Sequence, residues 1–358
     1  MQLQFLKAEY GDSILITIAD ESGHERNILI DGGTPATYLG SKPKKGLADL
    51  AALKIAIEEI KFKDGYIDLL ILTHVDNDHI GGLLKWLEND NEALSLVKEV
   101  WFNSGKTISR HFMSEEIAEN EMMVDVKSGN ATSISQGVSF TSLLEDTGLL
   151  FTNILKSLTN IERFGAKFQI LSPNDNALRA LLTKWEKERP YSLTSVRTDY
   201  DLSLEELAKD ISFSEDNDIH NGSSIAFILE YQGESFVFLA DSYPSVVIES
   251  LHAMGYSREK PLKAQLVKIS HHASQYNTNY KLLSLINCEC FVVSTDGSRN
   301  GHPNKLTLAR IINSNGGKQI PCTICFNYPE LINKIFTEED FQTYPSFQAL
   351  YTGDQSNY

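Results

Sequence analysis

Positive charge is scarce in this 358-residue chain: 32 Lys and Arg stand against 48 Asp and Glu, a formal net charge of −16. That deficit argues against broad, non-specific wrapping of nucleic acid, which needs many cations to displace counterions. A local basic rim around an acidic, metal-filled site stays compatible with it. Long apolar runs are missing too, and no window approaches the ~20 residues of a membrane-spanning helix. Met1 to Tyr10 carries neither a basic start nor an extended apolar stretch, so no secretory leader is expected. The expectation is a soluble, cytoplasmic protein with no membrane partner. Cysteine is limited to Cys288, Cys290, Cys322 and Cys325. The pairs Cys288-x-Cys290 and Cys322-x-x-Cys325 have the look of two halves of a zinc site. Their apolar, β-like surroundings favour reduced thiols in core strands instead. A structural disulfide is not expected in that compartment. Gly-x-Ser-x-Gly, P-loop and Rossmann fingerprints are all absent, so none of these chemistries competes.

What is present is one dense stretch, Thr73-His-Val-Asp-Asn-Asp-His-Ile-Gly-Gly82. His74, Asp76, Asp78 and His79 put four potential metal ligands into six residues. The apolar run Ile67 to Leu72 before them has strand length, and Leu83, Leu84, Trp86 and Leu87 after Gly81-Gly82 read as a helix opening. The four ligand types are therefore expected on the loop leaving a buried strand, where chemistry is commonly placed. Imidazole and carboxylate without thiolate suit Zn²⁺, Mn²⁺ or Fe rather than a soft-metal cluster. A polar turn would explain Asp and Asn here, but not the two flanking histidines.

Hydrophobic residues make up 42% of the chain, enough for a substantial core. Strand signals open the chain at Leu3 and Phe5, at Ser13 to Ile18 and at Asn27 to Ile30, the last running into Asp31-Gly32-Gly33. Lys45 to Ile60 has helical spacing, and Val97 to Phe102 reads as a strand. From about 105 to 218 the chain is polar and mainly helical by pattern. Leu143 to Leu158 is expected to contain an amphipathic helix, and Phe168 to Leu171 returns to strand character. This middle reads as an insertion or cap on a single domain spanning 1–358. Alternation resumes with a hairpin over Ser223 to Leu239, a helix from Pro244 to Met254 and strands at Leu262 to Ile269 and Phe291 to Ser294. A further helix opens at Gly301-His-Pro303. Two β-rich ends with helices predict an α/β fold, a four-layer αββα sandwich of two sheets covered by helices.

Six of the nine histidines fall at strand ends or loops: His74, His79, His220, His271, His272 and His302. Asp241 also closes a strand. The pattern resembles the metallo-β-lactamase superfamily, whose His-x-His-x-Asp-His motif reads here as His74-x-Asp76-x-Asp78-His79. Within that superfamily it is most similar to the soluble domain of ComEC-type DNA-uptake proteins. The matching stretches are Gly11 to Ile16, Ile28 to Gly33, Lys268-Ile-Ser-His-His-Ala-Ser274 and Asn300-Gly-His-Pro303. The resemblance covers roughly 1–102 and 220–312 and omits the helical middle.

The resemblance implies a dinuclear metal site. His74, Asp76 and His220 would hold the first ion, with Asn221 as the alternative match for the third ligand. Asp78, His79 and His272 would hold the second, and Asp241 would bridge. His271 and His272 are adjacent, so one binds metal and the other faces substrate; His272 is assigned to metal. His271 or His302 would donate a proton to the leaving oxygen. Asp31 is expected to orient a metal-binding histidine from the second shell of contacts, and a strand-end turn is its alternative.

Two divalent ions, Zn²⁺ or Mn²⁺ first and Mg²⁺ or Fe next, would share a bridging hydroxide and clamp the attacking and leaving oxygens. Asp76 in place of histidine hardens the first site and leans toward phosphoesters. The expected function is a metal-dependent phosphodiesterase, a nuclease on DNA or RNA. A small-molecule hydrolase acting on a lactone, thioester or cyclic nucleotide is the alternative. A non-catalytic interaction subunit, with a protein partner held by the helical middle, is the third reading.

Overall fold

The computed structural model of the protein describes residues 1–40, 51–114, 133–185, 198–315 and 321–354. It forms two units, Met1–Lys156 with Asn174–Leu193, and Ser157–Pro173 with Thr194–Tyr358. Where a single domain with a helical insertion is expected, the chain crosses between units inside the stretch 105–218.

In the first unit, short apolar segments build a five-stranded sheet. β1 (Gln2–Phe5), β2 (Ile14–Ala19) and β3 (Glu25–Ile30) pair antiparallel in chain order. After the helices α1 (Pro35–Leu39) and α2 (Ala52–Phe62), β4 (Ile67–Ile71) pairs parallel with β3. Lys45 to Leu50, the start of the helix expected there, lies outside the described residues. Every residue of β4 is buried, as its near-continuous apolar run requires of a parallel inner strand. α3 (Asn77–Asn89) and α4 (Ala93–Leu96) lead to β5 (Val100–Trp101), which completes the sheet beside β4.

The helix α3 starts earlier than its glycines suggest. Asp78 and His79 sit in its first turn, Asp76 is its N-cap, and Gly81-Gly82 lie inside it. The glycines serve close packing instead of breaking the helix: a Cβ on Gly82 would stand 1.9 Å from the Gly32 carbonyl oxygen. Gly32 N–H donates to the His79 carbonyl at 2.7 Å, so the loop after β3 is bonded directly to the first turns of α3.

The rest of this unit is helical: α5 (Gly105–Phe112), α6 (Ser133–Leu144) and α7 (Asp175–Trp185). The helix expected within 143–158 lies earlier. Asp146 and Gly148 adopt left-handed backbone that ends it. Leu149 and Phe151 then bond the main chain of Val100.

The second unit carries an eight-stranded sheet. β6 (Asn160–Arg163) and β7 (Ala166–Ser172) form a hairpin that joins this sheet through β8 (Ala226–Tyr231). The strand character read at Phe168 to Leu171 is thus the core of β7, where Phe168, Ile170 and Leu171 are fully buried. α8 (Leu204–Ala208) and α9 (Ile219–Gly222) precede β8. β9 (Glu234–Phe238) returns antiparallel over a two-residue turn at Gln232-Gly233, both at positive φ, as the twist of a tight hairpin demands.

From β9 the sheet turns parallel. α10 (Pro244–Ala253) leads to β10 (Leu262–Lys263) and β11 (Leu266–Lys268); α11 (Tyr280–Leu283) leads to β12 (Ile286–Asn287) and β13 (Cys290–Val293). β10 and β12 pair apart as a short ribbon. α12 (Lys305–Ser314) leads to β14 (Cys322–Phe326) and then β15 (Phe347–Tyr351). The order β9, β11, β13, β14, β15 is parallel throughout, which sets the C-terminal ends of β9, β11 and β13 side by side. Each unit thus combines one sheet with helices, the α/β class expected.

The cysteines are free thiols on and beside β13 and β14. Cys290 and Cys325 Sγ are 3.9 Å apart, without a bond, and burial pushes the Cys322 thiol up to about 12. No helix among the described residues is long and apolar enough to cross a membrane.

Candidate functional site

In the first unit one buried carboxylate organises two histidines. Asp31 follows β3 in left-handed backbone, φ 55°. It accepts from Thr73 N–H at 2.8 Å, from the Thr73 hydroxyl at 2.7 Å and from His79 Nδ1 at 2.8 Å. The Thr73 hydroxyl has one proton and gives it to Asp31. At 3.0 Å from His74 Nδ1 it can therefore only accept. Both imidazoles carry their proton on Nδ1, and both present Nε2 as the ligand nitrogen. Their rings lie 4.1 Å apart between centroids, and both are buried. His74 Nε2 is 3.6 Å from Asp76 Oδ2. Ligand atoms of Asp78 and His79 lie within 4.8 Å of each other. The backbone of Asp78 is pinned by Asp12 N–H at 3.1 Å, and a Cβ on Gly11 would stand 1.9 Å from the Asp78 carbonyl oxygen.

In the second unit the candidates gather at three neighbouring strand ends. Asp241 follows β9, past Ala240 at φ 46°. After β11, His271, His272 and Ala273 take three successive left-handed conformations. Such backbone costs about 1–3 kcal/mol per residue and persists where the surroundings hold it. Here His271 N–H bonds the Ala240 carbonyl at 2.8 Å, and Asn304 N–H bonds the Ala273 carbonyl at 3.0 Å. His272 Nδ1 lies 2.8 Å from the Ser294 carbonyl, just past β13. A carbonyl only accepts, so Nδ1 carries the proton and Nε2 is the ligand nitrogen, 3.7 Å from Asp241 Oδ2.

His271 is held differently. Its Nδ1 is 2.9 Å from Asn277 Oδ1 and 3.4 Å from Asp216 Oδ2, while its Nε2 is 3.9 Å from Asp241 Oδ2. Burial alone would lower the His271 pKa, but the charge of Asp241 and the contact with Asp216 overcome it and leave it raised. Burial likewise works against Asp216, yet His271, the Asp218 N–H and the Asn277 amide bring its carboxyl down to about 2. The His302 ring lies 5.0 Å from the His271 ring. Burial and then repulsion by His271 and His272 push the His302 pKa well below its ordinary value.

His220 sits in α9, capped by the Asp218 carboxylate, which accepts its N–H at 2.9 Å. A carboxylate oxygen of Asp218 lies within 4.8 Å of a His220 ring nitrogen. Asn221, the alternative to His220, turns its amide to Asp216 Oδ2 at 2.7 Å and stands 3.4 Å from His271 Nδ1.

The structure thus groups His74, Asp76, Asp78 and His79 around Asp31 in one unit, and Asp241, His271, His272 and His302 at one sheet edge in the other. Three residues went unnoticed in the sequence: Asp216, Asp218 and Asn277. The alternation Asp216-x-Asp218-x-His220 was a readable signal, a carboxylate-rich echo of the 74–79 motif. Asn277 gave none, being one polar residue in a polar loop.

The donors fit a divalent metal. Nitrogen and oxygen ligands without sulfur suit hard to borderline ions, and histidines locked through Nδ1 are the usual form of imidazole ligation.

Among solved structures, the chain is similar to the metallo-beta-lactamase fold protein YhfI from Bacillus subtilis, at 12% identity and TM-score 0.41, covering 98% of this chain and 95% of that one. It is also similar to CmlA, a diiron β-hydroxylase from Streptomyces venezuelae, at 12% identity and TM-score 0.40, covering 98% of this chain and 52% of that one. A putative metal-dependent hydrolase from Parabacteroides distasonis aligns at 9% identity and TM-score 0.34, covering 87% and 97%. Comparison with curated proteins gives no match. The model of the metallo-beta-lactamase superfamily matches residues 6–297, a span that contains every ligand candidate described above, and the chain belongs to that superfamily.

Proposed function

We propose that this protein is a metal-dependent phosphodiesterase, with nucleic acid as its leading substrate. Membership of a superfamily made up mostly of hydrolytic metalloenzymes supports hydrolysis in general. The observation that carries the finer reading is Asp76, a carboxylate 3.6 Å from His74 Nε2 where the superfamily motif has histidine. Asp218 beside His220 adds a second carboxylate to the same donor class. Oxygen-rich donor sets favour Mn²⁺ and Mg²⁺, the ions that pair with phosphate oxygens.

In this reading His74, Asp76 and His220 would hold one ion and Asp78, His79 and His272 the other, with Asp241 as a further ligand. When bound, such ions supply Lewis acidity and lower the pKa of a water toward about 7. Asp31 and Ser294 fix the ring nitrogens that face the ions. His271, the more exposed of the adjacent pair, presents a bare Nε2 that would take up the proton released by the attacking water and return it to the leaving oxygen. The net charge of −16 favours a second reading, a small phosphodiester or ester in place of a polyanionic strand.

The test is hydrolysis of bis(p-nitrophenyl) phosphate, single- and double-stranded DNA and RNA with Mn²⁺, Mg²⁺ or Zn²⁺, using Asp78→Ala as control. Turnover that falls to background in Asp78→Ala supports the proposal, and equal cleavage by the variant sinks it. Hydrolysis of the small diester without strand cleavage selects the second reading. An Asp76→His variant should shift the metal preference toward Zn²⁺.

A further inference from the structure

Two adjacent histidines with the same chemistry need something to give them different roles, and the difference lies in what holds each Nδ1. For His272 it is a main-chain carbonyl, fixed by the sheet. For His271 it is a set of buried side chains. Asn277 is fully buried and uses its whole amide. Its Nδ2 donates to Asp216 Oδ2 at 3.0 Å and approaches the Asp241 and Ser242 carbonyls at 3.2 and 3.4 Å. With the NH₂ facing three acceptors, Oδ1 must face His271 Nδ1 at 2.9 Å, so the imidazole donates there. The Asn221 amide donates to the same Asp216 oxygen at 2.7 Å.

Asp216 is mostly buried, and among the described residues no Lys or Arg pairs with it; the titratable group it faces is His271. A buried carboxylate is costly unless its acceptors are filled. Here they are filled by the two amides and the Asp218 N–H. The segment bearing Asn277 is clamped in turn, since buried Arg310 donates to the Gln275 and Thr278 carbonyls at 2.7 and 3.0 Å.

We propose that Asp216, Asn221 and Asn277 are positioning residues that lock the His271 ring in its Nδ1–H form with Nε2 turned toward Asp241, so that Nε2 can take up the proton released by the attacking water and pass it to the leaving oxygen. This rests on the hydrolytic reading above for the reaction, but not for the ring. Asn277 sets the tautomer directly; Asp216 acts one step back, by orienting both amides.

The experiment reads the ring first. Long-range ¹H–¹⁵N spectra of the full chain, labelled at histidine and kept in Mg²⁺ buffer, are assigned with His271→Gln. Wild type should show His271 protonated at Nδ1. Asn277→Ala should spread the proton over both ring nitrogens while leaving His272 unchanged. Asn277→Gln keeps both the accepting oxygen and the donating amide and should restore the Nδ1–H form. Asp216→Asn, nearly isosteric, should fall between, and it covers the case in which Asn277→Ala does not fold. With Mn²⁺ and bis(p-nitrophenyl) phosphate, kcat should fall about 10- to 100-fold in Asn277→Ala with KM unchanged, and recover in Asn277→Gln. A wild-type tautomer in both Asn277→Ala and Asp216→Asn overturns the proposal, as does unchanged kcat after the tautomer has shifted. A wild type inactive on every phosphodiester overturns the reaction class alone, because the ring readout still decides the positioning.

Discussion

The two ligand sets are built on opposite plans. In the first unit, four ligand types lie within six residues, and a single carboxylate, Asp31, reaches both histidines, one directly and one through Thr73. In the second, the candidates are spread from Asp216 to His302; Asp241 meets the histidine pair because β9 and β11 are parallel neighbours, and Asp216 joins them from the segment before α9. Their rings are held by a main-chain carbonyl, a buried amide and the ring of a neighbouring histidine. A local motif concentrates its orientation in one group, which makes it compact and vulnerable. A dispersed set divides orientation among several groups, none of which serves all.

The largest effect should therefore come from Asp31→Ala. It unseats His79, frees the Thr73 hydroxyl that orients His74, and leaves the Thr73 N–H without its acceptor. Losing an orienting carboxylate costs about 10- to 100-fold in metal affinity for one histidine. With two histidines affected, the loss should reach or exceed about 100-fold, measured by titration calorimetry with Mn²⁺ or Zn²⁺. The companion is Asp216→Asn, whose loss should be distinctly smaller. Equal losses in the two variants would erase the contrast between the plans.

This contrast also explains what could be read from the sequence. The motif at 74–79 announces itself because its ligands lie within six residues and its strand, β4, is a near-continuous apolar run. Asp31 was legible as an orienting residue from its place at a strand end before two glycines. The histidines at 271, 272 and 302 were legible because strand ends collect chemistry. Asn277 was not, since its meaning comes from contacts over spans of about 36 to 61 residues that no local pattern encodes, and Asp216 was signalled only by its alternation with Asp218 and His220. The start of α3 was misread for a related reason. Gly81 and Gly82 look like helix breakers until the backbone of Gly32 is seen 1.9 Å from where a Cβ would stand. The helix expected within 143–158 failed on turn chemistry, at Asp146 and Gly148.

A dispersed set needs support from outside itself, and Arg310 tests that. Its guanidinium is buried, which lowers its pKa. It donates to the carbonyls of Gln275, Thr278 and Ser212, tying the segment after the histidine pair to α12. Arg310→Ala leaves those carbonyls unpaired and opens a cavity, and should cost about 2–4 kcal/mol in urea unfolding followed in the second unit. The His271 ring should lose its fixed tautomer, while His74 and His79 keep theirs. Disturbance of all three rings would mean that the two sets do not stand on separate supports.

The smallest effect separates burial from contact number within the first unit. Asp175, like Asp31, is met by three donor contacts: two from Lys156 Nζ at 2.9 Å and one from His111 Nε2 at 3.1 Å. Unlike Asp31, its side chain is about half exposed. The Lys156 hydrogen bond, against a small burial cost and with help from His111, holds its carboxyl below the ordinary 3.8. A depressed carboxylate stabilises the fold above the unfolded value and loses that contribution as pH falls through the folded one. Asp175→Ala should therefore cost less than about 1 kcal/mol at neutral pH, reduced further by salt, and nothing in acid below the folded pKa. Urea unfolding at pH 7 and below pH 3 measures both limbs. If Asp175→Ala cost as much as Asp31→Ala, the number of contacts would govern this unit, and the burial of Asp31 would no longer explain why two histidines depend on it.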